Sequence, residues 1–248
     1  MDAADYYTGI VAEGYALLKG THFPADRYAD LIAASGEPAL ELGCGDGDPL
    51  LELRRRGLEV EGVDSSADML ARCAQRAAAA GLEVVTHHQR MEDLDLDRRF
   101  ATIFLAGPTF TLLPDDDLAR RALAAIREHL TEHGVAEIPL WVPPPRDDLG
   151  ASRRVQTEDG TTVTFTALSE EYDVTHRTRT THVRYERWAR QPSETVEVAE
   201  RDWVIHWHTQ DSFGVLAQEA GLQVVAMTDL DNTAVTGDEE QFVVTLTR

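Results

Sequence analysis

The sequence predicts an α/β fold: a doubly wound, mostly parallel sheet of seven strands, with an N-terminal helical cap and an antiparallel β insertion before the last helix. Three observations carry this. From residue 39 onward, short apolar runs alternate with amphipathic helical segments, and sequential βα units imply a parallel sheet with helices on both faces. A glycine-rich stretch, ALELGCGDG at 39–47, closes the first of those runs, at the strand end where open α/β sheets take ligands. Residues 151–208 lose the helical period and read as half-exposed strands rich in β-branched and aromatic types.

Residues 5–34 read as one or two helices, with Tyr7, Val11, Tyr15 and Leu18 at helical spacing and Pro24 opening the second. Pro38 breaks the chain before the first strand, ALEL. PLLELRRRG follows as a helix, with Pro49 in its first turn and Gly57 as its stop. LEVEGVD is the second strand. SSADMLARCAQRAAAAG is a helix that Ser65 can cap, with Asp68 three residues on and an apolar face of Met69, Leu70, Cys73, Ala74 and Ala77. LEVVTHH and FATIFLAG are strands three and four. In PDDDLARRALAAIREHL, a helix lined by Leu118, Ala122, Leu123, Ile126 and Leu130, the acids Asp115, Asp116 and Asp117 look like a metal cluster. At a helix N-terminus they read as a cap and partners of the dipole.

GVAEIPLWV is strand five. After PPP at 143–145, TTVTFTAL, YDVTHRTRTTHVRYERWA and VEVAERDWVIHWH read as strands. TQDSFGVLAQEAG is the last helix, capped by Thr209 and stopped by Gly221, and LQVVAMTDL and QFVVTLTR close the chain. The segments are therefore a helical cap at 1–38, a ligand-binding core at 39–142, an antiparallel insertion at 143–208 that acts as an acceptor lid, and the end of the core at 209–248.

Length and charge narrow the function. A chain of 248 residues fits one large domain, with or without an inserted piece. With 44 acids against 23 bases, a formal charge of -21 repels nucleic acid, whose binding needs Lys and Arg on phosphates. No apolar run approaches the roughly 20 residues of a membrane helix. MDAADYYTGI has neither the basic region nor the apolar core of a secretory leader, so the expected location is cytoplasmic. There Cys44 and Cys73 stay reduced, and Cys44 packs as a small residue under a tight turn. Lys19 is the only lysine among the 23 basic residues, a bias that a GC-rich bacterial genome produces.

A dinucleotide fingerprint reads GxGxxG, with an acid about 20 residues further on. Gly43, Gly45 and Gly47 instead read GxGxG, and Asp48 stands where the third glycine would. Asp46 and Asp48 put negative charge in the loop, which repels a pyrophosphate and tolerates a sulfonium or an amino group. Asp64 ends the second strand, where it can accept ribose hydroxyls of either kind of cofactor.

LELGCGDG, VEGVDSSADML, FATIFLAGPTFTLL and GVAEIPLW, in this order, resemble the Rossmann-like class I S-adenosylmethionine-dependent methyltransferases. The likeness covers roughly residues 5–141 and the final helix and strands. It is greatest to small bacterial enzymes that methylate small metabolites, among them natural-product N- and O-methyltransferases. The resemblance implies S-adenosylmethionine as cofactor, a small-molecule acceptor and in-line SN2 transfer. It implies that Glu41 engages the amino group of the methionine moiety, that Gly43, Gly45 and Gly47 admit the cofactor to the backbone, and that Asp64 holds the ribose. Ser65 and Met69 would flank the adenine, and Met91 and Glu92 match the adenine-facing turn, with Arg90 where the family often has an acid. Tyr15 would lie over the methionine end, and Ala106 after strand four completes the cofactor set. Glu41 replaces a commoner aspartate, and Asp46 a commoner small or hydroxyl residue.

In DWVIHWHTQD, at 202–211, strand geometry puts His206 and His208 on one face and Trp203, Ile205 and Trp207 on the other. This is either a strand with one packed and one polar face, or a strand whose histidine lines the acceptor pocket as base or orienter. Glu137 and Trp141, near the end of strand five, border the acceptor in this fold. Glu137, His206 and His208 are thus the candidate catalytic groups, and with an aromatic wall they suit a cationic or polar acceptor. Tyr6, Tyr7 and Tyr172 are further pocket candidates, whereas His87 and His88 fall on the adenine side.

Arg177, Arg179, Arg184, Arg187 and Arg190 alternate along the insertion. They read as an exposed solvated face, as an anion-recognising cap, or as an interface with the acidic body of a second copy in a homodimer. No metal is expected, because beyond HWH no histidine spacing has a metal-ligand pattern. Three other functions share the sheet: a nicotinamide-dependent oxidoreductase, a non-catalytic cofactor-binding scaffold, and transfer of the cofactor's aminocarboxypropyl arm.

Overall fold

The structure is a computed structural model that describes residues 6–18, 23–157, 160–189, 195–237 and 239–248, with side chains described from these except at 16–18. The side chain of Leu18 and the whole of Arg190 lie outside the described residues.

Strand β1 (Ala39–Leu42) is buried at all four positions, as a central parallel strand must be. It pairs in parallel with β2 (Val60–Asp64) on one side and β4 (Phe100–Phe104) on the other. With β3 (Val85–His88), β5 (Leu130–Trp141), β10 (Gln223–Thr228) and β11 (Gln241–Thr247), these make a seven-stranded sheet of order β10-β11-β5-β4-β1-β2-β3. Only β11 runs against its neighbours β5 and β10. The order reverses at β1, so the crevice at its carboxyl end is the topological switch point.

Helices cover both faces. Helices α2 (Ala25–Ser35), α3 (Leu50–Arg55) and α4 (Ala67–Ala79) pack on one side around Tyr28, Ile32, Leu50, Leu53, Cys73 and Phe104. Helices α5 (Asp116–His129) and α6 (Gln210–Glu219) pack on the other around Leu40, Ile103, Leu123, Ile126, Ile138, Phe213 and Phe242. Each such fully buried Leu, Ile or Phe contributes about 1.5–3 kcal/mol of transfer free energy. Among the described residues no helix is long and apolar enough to cross a membrane.

The helix starts obey capping chemistry, with one shift of register. The cap of α4 is Ser66 rather than Ser65: its Oγ accepts the Met69 N–H at 3.2 Å. Asp68 closes no capping box and instead accepts the Gly9 N–H at 2.7 Å. Asp115 caps α5 through the Leu118 N–H, and Thr209 forms a capping box with Ser212 on α6.

The insertion is a second, antiparallel sheet of order β6-β7-β8-β9, built from Ser152–Gln156, Thr162–Asp173, Thr178–Trp188 and Thr195–His206. The stretch YDVTHRTRTTHVRYERWA is not one strand. It folds back between β7 and β8, where the Asp173 carboxylate accepts the N–H groups of Thr175 and His176 and Arg177 takes a φ of +56°. No glycine or proline marks this turn; an aspartate side chain does its work. Strand β6 has no counterpart in the sequence reading. Helix α1 (Ile10–Leu18) packs on this second sheet, joining Tyr6, Ile10, Val11, Val163, Val183 and Tyr185 in one cluster.

Candidate active site

The loop after β1 turns on left-handed glycines: φ is +72° at Gly43, +55° at Gly45 and +93° at Gly47. A Cβ on Gly43 would stand 2.6 Å from Thr109 Cγ2, and one on Gly47 2.8 Å from Cys73 Sγ, so backbone alone fits there. The Asp64 carboxylate holds the loop in place. Its Oδ2 accepts the Gly45 N–H and its Oδ1 the Ser66 N–H, each at 2.8 Å. Burial raises its pKa, while these two hydrogen bonds pull it down. Asp46 pairs with Arg76 at 2.8 Å, so its charge is already compensated within the protein.

Beside this loop is a cavity of about 70 Å³. Gly43, Asp64, Ser65, Met91 and Glu92 line it together, with Arg90 at 3.6 Å from the Glu92 carboxylate. Its apolar wall is Leu112, Leu113, Pro114 and Leu118, which sequence reasoning missed; the run TLLP before the α5 cap was the available signal. Five more residues of the expected cofactor set stand around this cavity rather than in its lining. Gly45 and Gly47 shape the loop, and Met69 packs against Gly45, its Cε 3.2 Å from where a Cβ would be. Glu41 is fully buried in β1, where its charge raises the pKa of Tyr28 and Cys44 after burial has done so. Ala106 packs in the core beside Phe104. A glycine floor, a carboxylate with lone pairs to spare and an apolar slot fit a ribose and an adenine. S-adenosylmethionine would be held here by Asp64, Ser65, Met91 and Glu92.

A larger cavity of about 290 Å³ adjoins the N-terminal segment. Tyr7, Tyr15 and Trp141 line it, together with Tyr6, Phe165, Tyr185, Trp203, Arg146, Arg153 and Arg179. Tyr7 meets Tyr6 and Tyr15 edge-on, with ring centroids 4.9 Å and 5.1 Å apart. Burial, with Asp46, Asp64 and Asp48 adding to it, pushes the Tyr15 phenol up to about 12. Tyr7 is raised too, by burial first and then by charges that include Asp64. Both phenols are therefore neutral and stand between the glycine loop and the larger cavity. The start of α4 clamps the segment that carries them: Ser66 Oγ donates to the Tyr7 carbonyl at 2.6 Å, and Gly9 donates to Asp68.

Arg179, one of the arginines of the insertion, is the buried cation of this cavity. It is 2% exposed, and its guanidinium lies 4.8 Å from the Trp141 ring centroid and 5.9 Å from that of Trp203. Nη1 donates to the Pro144 carbonyl at 3.0 Å, and Nε lies 3.7 Å from Glu170, beyond hydrogen-bond length. Nε and Nη2 have no hydrogen-bond partner. Burial, followed by the like charge of Arg146, lowers its pKa.

The candidate catalytic groups are elsewhere. Glu137 is locked to Arg27, whose Nε and Nη2 both stand 2.9 Å from its Oε1. His206 and His208 line neither cavity. They sit against Asp116 with ring centroids 4.7 Å apart. Tyr172 also faces away, donating to the Pro143 carbonyl at 2.9 Å and stacking on Trp207. His87 pairs with Glu61, and His88 meets the Ser65 carbonyl. The described arginines of the stripe do not share one exposed face: Arg179 is buried, Arg187 binds Glu13 and Glu197, and Arg184 binds Glu200 at the surface. Among the described residues the larger cavity therefore presents phenols, aromatic walls and guanidiniums, with no carboxylate or imidazole in its lining.

Residues 39–134 match the family model described as "Methyltransferase domain". The chain is 32% identical, over 146 residues, to a dTDP-3-amino-3,6-dideoxy-alpha-D-glucopyranose N,N-dimethyltransferase of Streptomyces fradiae; the aligned stretch is 55% of this chain and 56% of that one. It is 28% identical over 169 residues to a dTDP-3-amino-3,4,6-trideoxy-alpha-D-glucopyranose N,N-dimethyltransferase of Streptomyces venezuelae, covering 66% and 68% of the two chains. Among solved structures, the CcbJ methyltransferase of Streptomyces caelestis superposes with a TM-score of 0.71 at 22% identity, covering 92% of this chain and 97% of that one. The S-adenosylmethionine-bound amino pentose methyltransferase CalS10 of Micromonospora echinaspora superposes with a TM-score of 0.67 at 22% identity, covering 96% and 97%. The glycine loop and the acid at the end of β2 both fall within residues 39–134, the stretch that matches the methyltransferase domain model.

Proposed function

We propose that the protein transfers a methyl group from S-adenosylmethionine to the amino nitrogen of a small molecule that also carries an anionic group, of the kind found in a nucleotide-linked amino sugar. The observation that carries this is Arg179. A buried guanidinium with two N–H edges free of hydrogen bonds is costly unless a ligand completes it. A diphosphate or carboxylate is the planar, doubly accepting partner that guanidinium fits. Arg146 and Arg153 line the same cavity and add to the attraction. The two aligned relatives act, by their names, on dTDP-linked 3-amino sugars, which unite an amine and a diphosphate.

S-adenosylmethionine, when bound, supplies an electrophilic methyl group on a sulfonium. The chain's own part is placement. Neutral Tyr7 and Tyr15, between the glycine loop and the larger cavity, offer phenol oxygens to orient an amine. The antiparallel insertion contributes Phe165, Arg179, Tyr185 and Trp203 to that cavity and acts as the acceptor lid, excluding water from the methyl path. Among the described residues no carboxylate lines this cavity to stabilise an ammonium form of the acceptor, which favours the neutral amine as nucleophile. Alignment of this kind supplies several kcal/mol of barrier lowering on its own.

The test is incubation of the full chain with S-adenosylmethionine and a dTDP-linked 3-amino sugar, beside its 3-hydroxy counterpart. Mass spectrometry should find one or two added methyl groups on the amine and none on the alcohol. Methylation of the alcohol, or of an amino sugar lacking the diphosphate at an equal rate, would overturn the proposal.

A further inference from the structure

Asp116, His206 and His208 are far apart in sequence and are brought together from the first turn of α5, the last position of β9 and the coil beyond it. His206 Nε2 lies 3.5 Å and His208 Nδ1 3.8 Å from the same oxygen, Asp116 Oδ1. Both separations are too long for a hydrogen bond to that oxygen. Asp116 Oδ1 is buried and has no hydrogen-bond partner. Both histidines are nearly inaccessible, at 4% and 0% exposure. One ligand atom from each of the three residues lies within 4.8 Å of the others.

Ligands at 2.0–2.1 Å from a tetrahedral ion are about 3.4 Å from each other. The two His–Asp116 separations, 3.5 Å and 3.8 Å, are already close to that, and the three ligand atoms lie within 4.8 Å of one another, so an ion would bind by drawing the two imidazoles together by about 1 Å or more. The donor set, two neutral imidazoles and one carboxylate, suits zinc and its neighbours rather than magnesium or calcium. Phe110 and Phe213 wall His208, with ring centroids at 5.8 Å and 6.0 Å, and restrict water.

Arg177 is the competing cation. Its Nη2 donates to Asp116 Oδ2 at 2.5 Å, and its Nη1 lies 3.3 Å from His208 Nδ1. It projects from the turn between β7 and β8 and is 22% exposed, so it has a path to solvent. Oδ1, the oxygen facing the imidazoles, is the one it leaves without a hydrogen bond.

We propose that Asp116, His206 and His208 form a binding site for a divalent transition metal of the zinc type, in which the Arg177 guanidinium stands in for the cation while the metal is absent. The site lies outside both cavities. It ties α5 to the end of the second sheet, so the ion is a structural clasp between insertion and core rather than a participant in methyl transfer.

The test is calorimetric titration of the full chain, stripped of metal, with zinc chloride, in parallel with Asp116→Asn, His206→Gln, His208→Gln and Arg177→Gln. Circular dichroism establishes which variants fold. The expected result is one equivalent bound by the wild type, loss of at least tenfold in affinity in each folded ligand variant, and a gain of about tenfold in Arg177→Gln, which removes the competitor. Cobalt substitution of the wild type gives a second reading independent of any variant: a low-symmetry site of two imidazoles and a carboxylate produces visible absorption bands. Absence of stoichiometric binding by the wild type, absence of those bands, or binding that survives in the folded ligand variants would overturn the proposal.

Discussion

Asp64 Oδ2 accepts the Gly45 N–H at 2.8 Å, so the acid at the end of β2 closes the glycine loop that follows β1 and faces the cofactor cavity with the same carboxylate. Asp64→Asn keeps the shape and one acceptor but removes the charge and sets an NH₂ against one of the two backbone donors. Hydrogen bonds to a charged group are worth about 1.5–3 kcal/mol. At about 1.4 kcal/mol per tenfold, calorimetry should find S-adenosylhomocysteine bound roughly 10- to 100-fold more weakly.

The pKa of Asp64 is raised from its ordinary value of 3.8, chiefly by burial. The ionised form is the one that accepts ribose hydroxyls. Affinity for S-adenosylhomocysteine should hold near neutrality and fall as pH drops through that raised pKa, beginning above 3.8. The free protein follows the opposite sign for this group: its contribution to stability is present at low pH and is lost as pH rises through the raised folded value. Titrations repeated in Asp64→Asn should lose this step of the pH profile.

Gly43 and Gly57 both hold positive φ, at +72° and +86°, yet only Gly43 is crowded, with Thr109 Cγ2 2.6 Å from its would-be Cβ. Alanine at either site costs about 1–2 kcal/mol of left-handed strain. Gly43→Ala should fall further in melting temperature than Gly57→Ala, and it alone should weaken S-adenosylhomocysteine. Equal losses in both variants would remove the crowding argument.

Ser66, not Ser65, caps α4 and also reaches the Tyr7 carbonyl. Ser66→Ala should cost about 1 kcal/mol or more in urea unfolding, while Ser65→Ala should leave stability within about 0.5 kcal/mol. The doubled role predicts that Ser66→Ala also raises the acceptor KM, by loosening the tyrosine segment.

How far these features were legible depends on how local they are. The βα alternation, the glycine loop and Asp64 are each written in a short window, so periodicity and spacing find them, whereas Met91 and Glu92 come only through the family resemblance. Ser65 and Ser66 differ by one position, and only the residue with the right backbone geometry becomes the cap. The turn after Asp173 was invisible because a side-chain hydrogen bond replaces the usual glycine. Which of the readings open for Arg179 holds, and that Glu137 and the two histidines stand away from the larger cavity, are set by tertiary structure. Alternation along a strand states which residues share a face, but not whether that face meets solvent, a cavity or another helix. Arg179 on β8 faces the cavity, while His206 at the end of β9 and His208 just beyond it reach α5.

Arg179→Met tests the anion site. Arg179→Met leaves the buried Glu170 carboxylate without its neighbouring guanidinium and should lower stability, so circular dichroism first establishes that the variant folds. Affinity for S-adenosylhomocysteine should be unchanged. The KM for a diphosphate-linked amino sugar should rise on the order of 10- to 100-fold, as expected for loss of a charge-assisted pair. An unchanged KM would remove Arg179 from acceptor recognition.

The most direct test of the central claim is calorimetric titration of the full chain with S-adenosylhomocysteine and with NADH in parallel. The account predicts saturable one-to-one binding of S-adenosylhomocysteine and no heat of binding from NADH. Binding of NADH with none of S-adenosylhomocysteine would contradict it, and would move the chemistry of the glycine loop from methyl transfer to hydride transfer.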